Sequence, residues 1–209
     1  MLNKTIYLVR HGQTDYNLKG IVQGSGVDAS LNDTGRAQAR AFYDAYQNKP
    51  FELVITSALK RTRESVAHFI EDGIPHLTTA DINEMHWGVH EGKVGTPESK
   101  AEYQRIKDGW AVGDIDGRIG GGESAREMGE RLQRFLDMLK QRPEQLLLVC
   151  SHGRAMCGLV TLMQGLPIHR MNEFRHSNLG LWLAHSEGEH YRFESKNDLS
   201  HLEKLSPVV

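Results

Sequence analysis

The chain has 209 residues, of which 39% are hydrophobic and 25% are charged, and these proportions are ordinary for a globular protein. This length is sufficient for one domain with a sizeable core. The formal net charge of -2 gives no reason to expect nucleic acid or an anionic membrane as a partner. Any binding site for an anion must therefore be local.

The beginning of the chain carries no long apolar region, and no stretch approaches the roughly 18 apolar residues of a membrane span. We therefore predict neither a signal peptide nor a transmembrane helix. The two cysteines, Cys150 and Cys157, fall in a predicted strand and a predicted helix, where small buried side chains of a reducing compartment are expected. These features together predict a cytoplasmic protein.

The first predicted strand contains four apolar residues, Ile6 to Val9, as expected of a strand that is buried on both faces of a sheet. It ends at Arg10, His11 and Gly12. Ligands of open α/β sheets bind at the carboxyl ends of the strands, so this cation and this imidazole are placed for chemistry on an anion. The connection that follows, residues 12–33, is unusually long and therefore indicates a functional loop.

The next elements alternate between helix and strand. A helix begins near Asn32 or Asp33, with a predicted core face that carries Ala37, Ala41, Phe42, Ala45 and Tyr46. Residues 51–56 form a strand, and Ser57 is a candidate N-cap for a helix that contains Leu59 to Ile70. This order predicts a parallel sheet with right-handed crossovers.

The second half of the chain continues the pattern after a short strand at residues 76–79. We interpret residues 85–122, with one helix near 97–107, as an insertion or lid over the functional edge of the sheet. An amphipathic helix is predicted over 123–142, a strand over 146–151 and a helix over 155–163, followed by a hairpin. The predicted fold is one α/β domain, residues 1–209, with three α/β/α layers and a mostly parallel sheet.

The strand at 146–151 repeats the pattern of the first strand, because it delivers His152 and Gly153 at its end. Parallel neighbours would bring His11 and His152 to one edge. Arg61 lies in the first turn of a helix that starts at the same edge, and Arg10 adjoins His11. Guanidinium groups match phosphate oxygens in pairs, so two arginines and two histidines predict a pocket for a phosphoryl group.

Four blocks of sequence resemble those of the histidine phosphatase superfamily, in its phosphoglycerate mutase-like branch. They occur in the family's order and span most of the chain. The blocks are Leu8-Val-Arg-His11-Gly-Gln-Thr14, Thr56-Ser-Ala-Leu-Lys-Arg61-Thr-Arg-Glu-Ser65, Asn83-Glu84-Met-His-Trp-Gly88 with Glu91-Gly92, and Ser151-His152-Gly153.

The resemblance implies a mechanism in which His11 attacks phosphorus and forms a phosphohistidine. Arg10, Arg61 and His152 would bind the equatorial oxygens, and Glu84 would serve as general acid and then as general base. The resemblance also places further groups at the phosphate or the substrate. These are Asn17, Gln23, Gly24 and Gly153.

No metal or other cofactor is expected. His86 and His90 are four residues apart and Glu91 follows them, but Gly88 argues against the helix that would bring the two rings to one metal. The chain also lacks the Cys-x5-Arg pattern of a cysteine phosphatase, since Met156 stands where that pattern from Cys150 needs arginine.

The substrate is left open as a small phosphomonoester. The segment after Gly92 lacks the paired arginines with which the mutases bind a carboxylate, which favours a phosphatase. Two alternatives remain: a cofactor-dependent mutase of the phosphoglycerate type, and a non-catalytic module that binds a phosphorylated ligand. A homodimer is possible for this fold, although no sequence feature identifies an interface.

Overall fold

A computed structural model describes residues 3–203 and 205 of the chain. Its centre is one sheet in the order β3-β2-β4-β1-β5-β6. The strands are β1 (Thr5–Arg10), β2 (Leu53–Thr56), β3 (His76–Thr78), β4 (Leu146–Ser151), β5 (Leu181–Glu187) and β6 (His190–Asp198). Neighbours among the first four are parallel, whereas β5 and β6 are antiparallel additions. The prediction of a mostly parallel sheet is confirmed.

Helices cover both faces of this sheet and confirm the single α/β domain. They are α1 (Asp15–Leu18), α2 (Asp33–Tyr46), α3 (Lys60–Ser65), α4 (Ala67–Glu71), α5 (Pro97–Ala111), α6 (Ala125–Gln141) and α7 (Gly153–Met163). Alternate strand residues enter two separate cores, because successive side chains point to opposite faces. Leu147 packs in the core beneath α6 and α7, and Leu148 packs in the core beneath α2 and α4.

The helix starts follow local capping chemistry. The Asn32 side chain accepts from the backbone N–H of Gly35 and begins α2. Ser124 and Glu127 form a reciprocal capping box at the start of α6. Both caps satisfy N–H groups that the first helical turn leaves without partners.

Two local predictions are wrong. Ser57 is not a helix N-cap: α3 starts after Leu59, and a break at Val66 divides the predicted helix into α3 and α4. The core face of α2 is also displaced, since its buried residues are Gly35, Ala39 and Phe42. Several alanines are distributed around this helix, so its apolar residues did not define one face clearly. In the structure, the face that packs against the sheet is the neighbouring one, which contains Ala39 in place of Ala37 and Ala41.

Residues 85–122 carry α5 as their main element. The indole of Trp110 is fully buried and its Nε1–H donates to the carbonyl of Gly117 at 2.9 Å. Glu102 ties α5 to the preceding turn through His90 Nε2 at 2.6 Å and to Gly120 N at 3.0 Å. Within the described residues, no helix combines the length and apolar character that a membrane crossing requires.

Candidate active site

Sheet register brings the two predicted histidines together. Arg10 of β1 pairs with Ser151 of β4, and His11 continues the ladder because its N–H donates to the Ser151 carbonyl at 2.9 Å. The rings of His11 and His152 lie 5.2 Å apart, centroid to centroid. Both side chains are buried. The parallel β1–β4 pair thus places two imidazoles at one carboxyl edge, as the sequence predicts.

His11 has one ring nitrogen fixed and one available. Its Nδ1 lies 2.7 Å from the Gly12 carbonyl, and a carbonyl only accepts, so Nδ1 carries the proton and Nε2 retains a lone pair. Burial lowers the pKa of His11 well below its ordinary value, and the cations Arg10 and Arg61 lower it further. The ring is therefore neutral at neutral pH, with an available lone pair on Nε2.

Gly12 supplies the backbone path that follows this histidine. A Cβ at this position would lie 2.7 Å from the carbonyl oxygen of Gly35, which leaves no room for a side chain. The Gly12 N–H donates to Ser65 Oγ at 2.8 Å. Helix α3 therefore helps to hold the turn that aims His11.

Arg61 has no solvent exposure and is held by several acceptors. Its Nε donates to His152 Nδ1 at 3.1 Å, and its two terminal nitrogens donate to the carbonyls of Val27 and Gly24 at 2.7 and 3.2 Å. Burial lowers the pKa of Arg61 to about 10, so it remains a cation at neutral pH. The guanidinium thereby anchors the long 12–33 connection to the site.

Both nitrogens of His152 have partners in this structure. Since Nδ1 accepts from Arg61, the ring proton is on Nε2, which donates to Ser57 Oγ at 2.8 Å. Burial lowers the pKa of His152 well below its ordinary value, and Arg61 is the next cause. Arg61 therefore fixes the tautomer of a neutral imidazole, and Ser57 accepts the hydrogen bond from its Nε2–H.

Arg10 leaves the end of β1 with an incompletely satisfied guanidinium. One terminal nitrogen donates to the His176 carbonyl at 3.0 Å, while the buried Nε has no partner among the described residues. Burial lowers the pKa of Arg10, and the nearby Glu84 carboxylate opposes this effect. Its unsatisfied donor suits an anionic ligand.

Glu84 is buried beside the first turn of α7. Its Oε1 accepts from the N–H groups of Met85 and Ala155 at 2.9 and 3.1 Å, and its Oε2 accepts from Arg154 N at 3.1 Å. His152 is the N-cap of the same helix. The positive end of α7 therefore stabilises the carboxylate, and one helix terminus positions both Glu84 and His152.

The loop residues of the predicted set form a chain of hydrogen bonds. Asn17 Oδ1 accepts from the N–H and hydroxyl of Thr14, each at 3.1 Å, so the Asn17 amide donors stay available. Gln23, with its amide oriented to donate to Thr14 Oγ1 at 2.7 Å, accepts from Arg61 Nη1 at 3.2 Å. Gly24 contributes its carbonyl to Arg61, and a Cβ there would lie 2.7 Å from the Met85 carbonyl oxygen.

A cavity of about 500 Å³, here named the site cavity, opens beside Arg10, Asn17 and Gln23. Helix α5 supplies part of its wall. Its apolar lining consists of Ile21, Val22, Trp87, Tyr103 and Ile119. Glu84 instead lines a polar cavity of about 560 Å³ together with residues such as His86 and Arg131. The site cavity is therefore partly apolar and suits an organic group, whereas the cavity beside the carboxylate is polar.

Two residues of the site were not predicted as such from the sequence. Ser57 was assigned another role, that of a helix N-cap, and Asn178 lies outside the four sequence blocks. Ser57 directly follows β2 and could have been recognised by the same strand-edge rule that identified His11 and His152. Asn178, whose Nδ2 donates to the His11 carbonyl at 2.8 Å, lies far along the chain in an irregular segment with no motif. Its role depends on tertiary structure alone.

The charge of the site favours an oxyanion. The buried Arg61 and the half-buried Arg10 lie beside two neutral imidazoles, and one carboxylate adjoins them. Among residues 3–203 and 205, no group of three histidine, cysteine or acidic side chains is placed to hold a metal ion. The arrangement has the donors that bind a phosphoryl group and the nucleophile that can attack one.

Comparison with known proteins identifies the class. The model of the histidine phosphatase superfamily (branch 1) matches residues 6–199. The chain belongs to this superfamily, whose members are phosphatases or mutases. The resemblance of the four sequence blocks is confirmed at the level of the family.

Individual relatives carry names of both kinds. The chain is 32% identical to the "Probable phosphoglycerate mutase GpmB" of Serratia proteamaculans, over 95% of this chain and 94% of the relative. The alpha-ribazole phosphatase of Shigella flexneri has the same fold, with a TM-score of 0.80, 23% identity and coverage of 93% and 96%. A phosphoserine phosphatase of Entamoeba histolytica superposes with a TM-score of 0.81 at 22% identity, over 95% and 99%.

Proposed function

We propose that this protein hydrolyses a small phosphomonoester without a metal ion, through a phosphohistidine on His11. The observation that carries the proposal is the state of His11: a buried neutral ring has Nδ1 fixed by the Gly12 carbonyl and a lone pair on Nε2. Nucleophilic attack requires that lone pair. The cations Arg10 and Arg61 supply the charge that an attacked phosphate needs.

In the first step, the P–N bond to His11 Nε2 forms while the bond from phosphorus to the ester oxygen breaks. Glu84, whose protonated form is favoured by the negative charge of the bound phosphate, gives its proton to the departing oxygen, which leaves as an alcohol. In the second step, Glu84 takes a proton from water, the water oxygen bonds to phosphorus, and the P–N bond breaks. The products are inorganic phosphate and free His11.

The remaining residues bind and orient the phosphoryl group. Arg10 and Arg61 neutralise the equatorial oxygens, with the free amide donors of Asn17 as an additional ligand. Gln23, Gly24 and Gly153 form the surrounding wall. His152 holds Arg61 in place and becomes a phosphate ligand when its Nε2–H exchanges Ser57 Oγ for a phosphate oxygen.

A mutase of the phosphoglycerate type is the second candidate, supported by the name of the relative at 32% identity. It would use the same phosphohistidine and differ only in returning the phosphoryl group to a second hydroxyl. A non-catalytic binding module is less well supported, because both His11 and Glu84 are present. The name of one relative does not show whether the phosphoryl group is transferred to water or to a second hydroxyl. An assay is needed to distinguish the two reactions.

The first experiment tests the intermediate. Enzyme quenched with acid after mixing with labelled phosphomonoester should carry acid-labile phosphate, and His11→Ala should carry none. His190→Ala, a change at an exposed histidine of the β5–β6 hairpin, is the matched control. Undiminished turnover in His11→Ala would refute the mechanism.

The second experiment separates the two reactions. We expect a panel of phosphomonoesters to release inorganic phosphate without any bisphosphate primer. Isomerisation of 3-phosphoglycerate that needs such a primer, with little phosphate released, would instead establish the mutase.

A further inference from the structure

A third cavity, of about 370 Å³, lies between α5, the start of α7 and the segment 172–176. We name it the cationic cavity, because three of its lining side chains are Lys107, Arg154 and Arg175 and none is acidic. None of these three cations forms an ion pair with any residue that the structure describes. Three uncompensated positive charges around one space attract an anion.

Arg154 is fixed in place by neutral groups. One terminal nitrogen donates to Asn172 Oδ1 at 2.8 Å, and the other donates to the hydroxyl of Tyr103 on α5. These acceptors orient the guanidinium without cancelling its charge. The donors of a planar guanidinium that is held in this way are preorganised for a carboxylate or a phosphate.

The cationic cavity adjoins the proposed chemistry. Gly153 lines it, and a Cβ on Gly153 would lie 3.4 Å from Arg10 Nε and 3.7 Å from Glu84 Oε2. The backbone N–H of Arg154 donates to the same Glu84 oxygen. Tyr103, the partner of the Arg154 side chain, lines the site cavity. An alcohol group leaving beside Glu84 is therefore next to Gly153 and Arg154, two of the residues that line the cationic cavity.

We propose that the cationic cavity is a second anion site, which binds a carboxylate or phosphate group on the alcohol portion of the substrate. This inference rests on the proposed function and narrows its substrate class to phosphomonoesters with a further negative charge. The same chemistry would also accept a free oxyanion, so the experiment has one arm for each source.

The first arm compares two substrates that differ only in the second charge. 3-Phosphoglycerate carries a carboxylate where glycerol 3-phosphate carries a hydroxymethyl group. The ratio of their kcat/KM values should fall about tenfold in Arg175→Gln and in Lys107→Gln, the effect of losing one charged hydrogen bond. Arg105→Gln, which removes an exposed cation from the same helix as Lys107, should leave the ratio unchanged.

The second arm measures binding of inorganic phosphate by calorimetry, without substrate. Two binding steps in the wild type and in Arg105→Gln, but one in Lys107→Gln and Arg175→Gln, would support the cavity as an anion site. If this pattern appears while the substrate ratio stays constant, the ligand is a free oxyanion and the substrate assignment is overturned.

A constant ratio together with one phosphate-binding step in every variant overturns the cationic cavity as an anion site. Failure of the proposed function is a separate result. In that case the wild type releases phosphate from no phosphomonoester, while the calorimetric arm still decides whether the cavity binds an anion.

Discussion

His176 should make this protein sensitive to mild acid. Both of its ring nitrogens are buried without partners among the described residues, and its ring lies 4.9 Å from that of Trp182. Burial lowers the pKa of His176 to about 3, and Arg10 and Arg154 add to this effect. Below about pH 6.5 the unfolded chain takes up a proton on this residue that the folded chain does not. Stability is therefore lost as the pH falls from 6.5 toward 3.

The size of the stability loss follows from how far the pH lies below the pKa of the unfolded chain. At pH 5, about 1.5 pH units below the unfolded pKa, one such histidine costs about 2 kcal/mol, since each unit is worth about 1.36 kcal/mol. His176→Phe keeps an aromatic ring against Trp182 and loses no hydrogen bond. We expect its free energy of unfolding to fall by about 2 kcal/mol less than that of the wild type between pH 7 and pH 5.

Urea unfolding in phosphate-free buffer at the two pH values measures this difference. His190→Phe, at an exposed histidine, is the matched control and should keep the wild-type pH dependence. The reasoning is refuted if His176→Phe and the wild type lose the same free energy between pH 7 and pH 5.

Three further predictions concern the site and its surroundings. Ser57→Ala leaves the buried Nε2–H of His152 unpaired in the free protein, a cost of about 1–3 kcal/mol that should appear as a lower free energy of unfolding in urea. Gly88→Ala should lower the urea midpoint, because φ is 57° and the new Cβ would lie 1.9 Å from the Gly120 carbonyl oxygen. The acid limb of kcat/KM that belongs to His11 should lie well below pH 6.5, after correction for ionisation of the substrate.

Each of these has a distinguishing control. Ser57→Thr keeps a hydroxyl and should lose less stability than Ser57→Ala; equal losses would count against the hydrogen bond between Ser57 and His152. Gly73→Ala shares a positive φ but meets no atom within 4 Å, so it should destabilise less than Gly88→Ala. Loss of His11 activity near pH 6.5, in enzyme still folded by circular dichroism, would contradict the neutral buried ring.

The sequence was sufficient where a local pattern determines a tertiary position. An apolar strand that ends in His-Gly places its histidine at the carboxyl edge whatever surrounds it, and this held for His11 and His152. Arg61 followed from the same rule, as the first turn of a helix after β2. The strong periodicity of α6 likewise predicted that helix within about two residues at each end.

Other features depended on choices that local patterns leave open. A serine after a strand fits a helix N-cap and a hydrogen-bond partner of a buried imidazole equally well, and only the position of β4 selects the second role for Ser57. His176 and Arg154 belong to a cavity assembled from segments more than 40 residues apart in sequence from Lys107. No local sequence pattern predicts that these distant segments line one cavity.

The spacing of the two imidazoles is set by a ladder of backbone hydrogen bonds, since His11 extends the pairing of β1 with β4 by one rung. Apart from positions such as Gly12, where a side chain has no room, side-chain substitutions in the surrounding loops remove no hydrogen bond of that ladder. The backbone pairing of β1 with β4 therefore sets the distance between the two imidazoles, whereas the loops around them can vary in sequence. This combination is useful in a protein whose substrate specificity is to be redesigned. Redesign of α5 and the 12–33 connection should alter which ester enters without retuning the distance between the two rings.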